Sequence, residues 1–267
     1  MLKDITLGQY FPADTFIHNL DPRTKIVADV IFIVELFIAI SWISYLVVFL
    51  YIVLTMILGH IKPRAILKGL KPLVYIIILT AVLNVFFTTG DILYQVWIIK
   101  ITRQGIQNAA LMTVRVLLLV AGTFLLTYTT SPLSITDGLE RLMAPLKLIK
   151  VPVYELSLMM SIALRFIPTL IEETDRIMSA QKSRGADFET GNLINRAKAL
   201  LPLLIPLFVS AFRRADELAT AMECRCYNGG EGRTRLKELH FKNTDWIALS
   251  FVLLLLVAVI ILKVYGL

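Results

Sequence analysis

The chain has 267 residues, of which 57% are hydrophobic and only 18% charged, and a mean hydropathy of +0.74. Soluble domains carry roughly 25% charged residues, so this composition describes an integral membrane protein rather than one or two soluble domains. The net charge of +7 is scattered over membrane flanks and one polar region, which excludes the continuous basic face of a nucleic-acid binder.

The opening segment, MLKDITLGQYFPADT, has an acid and a proline where a signal peptide needs an apolar core, so insertion is expected to rely on the first span. Apolar runs of spanning length occupy about 26–41, 42–58, 71–88, 106–130 and 245–262. The first two are separated only by Ser41-Trp42-Ile43-Ser44 and together exceed one bilayer crossing, so a hairpin is expected there.

Orientation follows the basic residues. Lys3, Arg23 and Lys25 precede the first span, and Lys62, Arg64, Lys68 and Lys71 follow the second, which sets both ends of the hairpin in the cytoplasm. The connection TTGDILYQVWIIKITRQG then lies outside, and the fourth span returns the chain to the cytoplasm near Ser131-Pro132. The last span, from Trp246, leads outward, with Lys263 a mild exception.

Residues 131–243 differ in kind. They hold sixteen Lys and Arg and thirteen Asp and Glu, over half of all charges, yet also the apolar stretches 151–171 and 199–212. Crossing the membrane as a hairpin would put Arg176, Lys182, Arg184, Arg196 and Lys198 outside and set Glu155 and Arg165 near lipid, against both charge rules. Helices that start in or against the membrane and run along its cytoplasmic face fit better. The expected fold is all-α and polytopic: about five full spans plus long cytoplasmic or interfacial coupling helices. Its division is a four-span bundle over 1–130, a coupling region over 131–243 and a final span over 244–267.

An offset of 41 residues superposes two parts of that region. Asp175 falls on Asp216, Ala180 on Ala221, and Ser183-Arg184-Gly185 on Cys224-Arg225-Cys226. A long helical pattern precedes each arginine, and a stop signal follows: Gly185 in one case, Asn228-Gly229-Gly230 in the other. A cation near a helix C-terminus is favoured by the dipole alone, by about 0.3–1 kcal/mol when exposed. Two such ends flanked by small residues also suit guanidinium pegs that enter a partner's groove and bond carboxylates or carbonyls.

At this point the chain resembles a known family, the transmembrane T component of the energy-coupling factor transporters of prokaryotes. His18-Asn19-Leu20-Asp21-Pro22-Arg23-Thr24-Lys25 is similar to the family's signature before the first span, with Asp21, Pro22, Arg23 and Lys25 its charged and rigid positions. Ala163-Leu164-Arg165-Phe166-Ile167-Pro168 and Ser183-Arg184-Gly185-Ala186-Asp187 resemble the first coupling segment. Cys224-Arg225-Cys226-Tyr227 stands where the family commonly has Ala-Arg-Gly-Tyr, a departure that keeps the arginine and the small size of its neighbours. The resemblance implies a cell-membrane subunit with no catalytic residues, cofactor or bound nucleotide. It implies that each small-Arg-small end docks on one of two ABC-type ATPase subunits. The apolar helix faces would meet a small membrane-embedded S component that binds a vitamin or trace nutrient.

Other chemistry fits less well. Cys224 and Cys226, with His240 distant, lack the second ligand pair of a zinc site, so no metal is expected. His18, His60 and His240 form no HExxH pattern, and no GxxxxGK[ST] loop occurs. Trp42, Tyr45, Tyr94, Trp97 and Trp246 suit interfacial anchoring. Arg115, inside the fourth span, suits either a salt bridge to Asp29 or Glu35 or a contact with a partner. Pro168, Pro202 and Pro206 permit kinks, static or moving. A permease that itself binds substrate would need convergent polar groups in the spans, where only Asp29, Glu35, Asn84 and Arg115 stand. An intramembrane hydrolase or lipid-modifying transferase would need a His/Asp/Glu constellation, and none is visible.

Overall fold

A computed structural model of the chain describes residues 10–96, 99–186, 193–229 and 238–265. Lys3, Trp97, Asp187 and Gly230 lie outside the described residues. Nine α-helices are described: α1 Pro22–Ile38, α2 Trp42–Leu58, α3 Pro63–Leu70, α4 Val74–Phe87, α5 Arg103–Thr129, α6 Pro132–Leu142, α7 Val153–Ser183, α8 Leu193–Glu223 and α9 Asn243–Val264. A short antiparallel hairpin, β1 Ile92–Val96 with β2 Ile99–Thr102, fills the connection before α5. The chain is thus an all-α, multi-pass membrane protein with one small β excursion.

Four helical segments are long and apolar enough to cross a membrane: Pro63–Phe87 taken together, Arg103–Thr129, Val153–Ser183 and Asn243–Val264. Trp42–Leu58 is a shorter apolar helix of 17 residues. These helices fit the expected all-α, polytopic fold of about five spans, with the first two, α1 and α2, the short ones. Helices α1 and α2 have 17 residues each, or about 25 Å at 1.5 Å per residue, short of a hydrocarbon core of roughly 30 Å.

The break between them lies at residues 39–41, and its chemistry is local. Ala39 leaves the helical region at φ −63°, ψ 124°, and Ser41 caps α2 through a bond from the Ser44 amide at 3.4 Å. The freed carbonyl of Ala39 accepts from the Tyr45 hydroxyl at 3.0 Å and from Arg115 Nη2 at 2.8 Å, while Arg115 Nε donates to the Tyr45 oxygen at 2.9 Å. Arg115 is therefore not the partner of Asp29 or Glu35. A cation at a helix C-terminus meets the negative end of the dipole, and here it closes the carbonyl that the break leaves open.

The basic segment after the second span forms helix α3, with Pro63 at its first turn and Ile66 as its buried residue. The Tyr128 hydroxyl donates to the Ala65 carbonyl at 3.1 Å, which ties α3 to α5, while Lys62, Arg64, Lys68 and Lys71 stay exposed.

The described residues form two compact units. One comprises 10–142 and 238–265; its core joins Phe32 and Leu36 of α1, Tyr45, Val48 and Ile52 of α2, Leu118, Leu125 and Tyr128 of α5, and Val259 of α9. Gly122 lets α1 approach α5 closely, since a Cβ there would stand 2.2 Å from the Phe32 ring. The other unit comprises 143–186 and 193–229 and is built on α7 and α8, each of 31 residues, which continue through Pro168 and through Pro202 and Pro206.

Candidate functional site: paired helix ends and the N-terminal knot

Helix α7 ends at Ser183 through a defined backbone motif. The Ala186 amide donates to the Gln181 carbonyl at 3.0 Å, the Gly185 amide to the Lys182 carbonyl at 3.0 Å, and Gly185 is left-handed at φ +87°. This is the Schellman pattern, with Arg184 as the cap residue and Gly185 as the residue after it. A glycine suits that position because it has no Cβ to collide with the preceding turn.

Helix α8 ends in the same way, 41 residues on. The Tyr227 amide donates to the Met222 carbonyl at 3.0 Å, the Cys226 amide to the Glu223 carbonyl at 2.8 Å, and Cys226 is left-handed at φ +57°. Arg225 is the cap residue and Cys226 occupies the position that Gly185 holds in α7. The stop expected at Asn228-Gly229-Gly230 is therefore corrected: the helix terminates earlier, at a left-handed cysteine. Amide-to-carbonyl closure of the last turn, rather than the nearest glycine, decides the end. Similar ends close α2 at His60 (φ +51°) and the turn at Lys150 (φ +61°), but Gly59 and Ile149 occupy the cap there. Among the described residues, only α7 and α8 place an arginine at that cap.

Ser183, Arg184, Gly185, Cys224, Arg225 and Cys226 are all exposed. Among the described residues neither guanidinium has an ion-pair or hydrogen-bond partner. Five donors in a planar fork remain available on each arginine for carboxylate or carbonyl groups. Cys224 and Cys226 are free thiols, and no group of three metal-ligating side chains occurs among the described residues.

The helices carrying these ends meet one another. Glu173 of α7 accepts from the Ser210 hydroxyl at 2.5 Å through one carboxylate oxygen and from Arg214 Nη2 at 2.6 Å through the other, both on α8. Neither residue was evident as a site in the sequence, although Glu173 and Arg214 are themselves 41 apart, the offset already found for the arginines. The back-bonds from the Ser179 hydroxyl to the Asp175 carbonyl and from Thr220 to Asp216 repeat at the same offset.

The signature residues form a knot in the other unit. Asp21 caps α1: its Oδ1 accepts from the Arg23 amide at 2.9 Å, and its carboxylate holds the Arg23 guanidinium through two bonds of 3.0 and 2.8 Å. Pro22 occupies the first helical turn, where its missing N–H is not needed. Arg23 also donates to the Leu239 carbonyl at 3.0 Å and lies 4.1 Å over the Phe241 ring. Lys25, buried, donates to the carbonyls of His18 at 3.1 Å and Thr129 at 3.0 Å, the latter being the last residue of α5. The member that the motif does not contain is Asp245, fully buried at the start of α9, which accepts from the amides of Asp21 and Lys242, each at 2.8 Å. An acid three residues into the final span was its only signal in the sequence. Arg23 and Lys25, read as orientation charges, thus also lock α1 to α5 and α9.

The polar residues of the spans do not converge. Asn84 donates to Thr80 on its own helix at 2.8 Å, Arg115 closes the α1–α2 break, and Glu35 is buried with no partner among the described residues. Asp29 lines a mostly apolar cavity of about 300 Å³ with Thr24, Phe32, Tyr51, Leu125 and Phe251.

A family profile described as CbiQ, cobalt transport protein, matches residues 13–236. The energy-coupling factor transporter transmembrane protein EcfT of Clostridium kluyveri is 52% identical over 265 residues, covering 98% of each chain. Its counterpart from Acidaminococcus fermentans is 54% identical over 245 residues, 92% of this chain and 91% of its own. That of Lactococcus lactis subsp. cremoris is 42% identical over 261 residues, 97% and 98% of the two chains. Matches of this extent leave one assignment: the chain belongs to the CbiQ cobalt transport protein family, among its energy-coupling factor transporter transmembrane proteins.

Proposed function

We propose that this chain is the non-catalytic coupling subunit of an energy-coupling factor importer, linking two ABC-type ATPase subunits to a membrane-embedded S component that binds a vitamin or trace nutrient. The observation that carries this reading is the pair of matched helix ends. Arg184 and Arg225 are exposed cap residues of the same Schellman geometry, on two helices that contact one another. Two like pegs suit two like grooves, one on each ATPase. The exposed apolar residues of α8, including Leu201, Leu204, Ile205, Phe208 and Phe212, supply the platform for an S component. The chain contributes no catalytic group and no cofactor; ATP is hydrolysed by its partners. Functionally, 1–130 anchors the subunit, 131–243 couples, and 244–267 completes the membrane bundle. The exposed Lys62, Arg64, Lys68 and Lys71 support a cytoplasmic location for the start of α3, and with it for the N-terminus and the coupling region.

The test is reversal of both pegs. Arg184→Glu with Arg225→Glu is expected to leave the protein inserted, since neither side chain has a partner among the described residues, but to abolish co-purification of both ATPases from the native membrane. Retention of both ATPases at wild-type level by the double variant would sink the docking reading.

A further inference from the structure

We propose that Glu173 is the pivot of the coupling pair, a positioning residue that holds α7 and α8 in register so that the two arginine ends stand on equal arms. The proposal rests on the docking reading above and adds a part that no helix-end motif contains. Its evidence is the coincidence of one offset at three levels. Arg184 and Arg225 are 41 apart, the Ser179 and Thr220 back-bonds are 41 apart, and Glu173 touches Arg214, the residue 41 after itself. When two like helices meet at equivalent positions, their corresponding ends lie equally far from the meeting point. Here the separation is eleven residues on each helix, Glu173 to Arg184 and Arg214 to Arg225, or about 16 Å of helix at 1.5 Å per residue.

The chemistry at the meeting point suits a register device. Apolar ridges packed in grooves repeat every turn, so an all-apolar crossing has competing registers one turn, about 5.4 Å, apart. A carboxylate that accepts from a hydroxyl through one oxygen and from a guanidinium through the other has a single register in which both bonds form. The side chains of Arg214 and Glu173 are 29% and 23% exposed, so the pair is partly withdrawn from water. A slip of one helical turn would strand both charges and make one arm about 5.4 Å longer than the other. The apolar residues Phe208, Val209 and Phe212, close in sequence to Ser210 and Arg214 on α8, are exposed.

The experiment uses the full chain in lipid nanodiscs without ATPases, so its outcome is independent of docking. Spin labels are placed on the native Cys224 and on Ser183→Cys, equivalent positions on the two arms, in a Cys226→Ser background. The distance distribution between them is read by double electron–electron resonance. Glu173→Gln is expected to broaden that distribution at least twofold, and Glu173→Arg combined with Arg214→Glu to return it to the parent width. Should Glu173→Gln not accumulate, Arg214→Gln reads the same pair from the other helix, with the same broadening expected. An unchanged width in the single variants, or a charge-swapped protein as broad as they are, overturns the proposal. The co-purification assay with Arg184→Glu and Arg225→Glu judges the docking reading separately.

Discussion

Cys226→Gly offers a direct measure of what the second helix end stores. Cys226 sits at φ +57° in the position that Gly185 fills in the first end. For a residue with a Cβ, the left-handed conformation costs about 1–2 kcal/mol. Glycine removes that strain but loses about 0.5–1 kcal/mol more conformational freedom on ordering. The net expectation is a gain of about 0.5–1 kcal/mol, confined to the last turn of α8, or roughly a two- to fivefold rise in local closing. The readout is amide hydrogen exchange at Cys226 and Tyr227, whose N–H groups close the motif onto Glu223 and Met222. Protection at residues 226 and 227 should rise by that factor in Cys226→Gly and stay unchanged in Cys226→Ala, which keeps the Cβ and removes only the thiol. At the twin site the sign reverses. A Cβ on Gly185 meets nothing within 4 Å, so Gly185→Ala carries only the backbone penalty and should lower protection at Gly185 and Ala186 two- to fivefold. Faster exchange in Cys226→Gly, or an effect of Cys226→Ala as large as that of glycine, would refute the argument that conformation rather than the thiol governs this end.

Asp245→Ala should destabilise the membrane bundle by about 1–3 kcal/mol, because it leaves the amide of the buried Asp21 without an acceptor; thermal inactivation in detergent, compared with Asp245→Asn, measures it. His18 precedes α1 and supplies a pH dependence. Its imidazole hydrogen-bonds the Thr15 hydroxyl through Nδ1 at 2.7 Å and donates to the Phe11 carbonyl through Nε2 at 3.0 Å. Burial first, and the Lys25 charge second, hold its pKa below the usual 6.5. The unfolded chain therefore binds the extra proton more readily, and stability should rise with pH up to about 6.5 and then level off. Melting profiles between pH 5 and 8 should show that slope, and His18→Gln should flatten it.

Much of the protein is legible before folding because lipid imposes hard rules. Apolar runs of spanning length, the basic clusters around them and the two long helices of the coupling region follow from composition and spacing. The twin arginines follow from a repeat that needs no coordinates. The Asp21-Pro22-Arg23 cap is local too, since a capping carboxylate, a first-turn proline and a guanidinium two residues away need only each other.

Other features depend on residues brought together from far apart. Whether Arg115 bonds a carboxylate or a broken helix end is decided by where the chain opens at residues 39–41, and the opening put a bare carbonyl within its reach. Lys25 reads as a flanking charge until Thr129 and His18 present their carbonyls to it. Asp245 acquires its role only when α9 returns beside the start of α1, more than two hundred residues earlier. The sequence by itself determined that this is a helical membrane protein with two arginine-tipped helices. Tertiary structure decided how those tips are built and where their helices meet, because hydrogen-bond closure and charge pairing act over a few ångströms of space, whatever the distance along the chain.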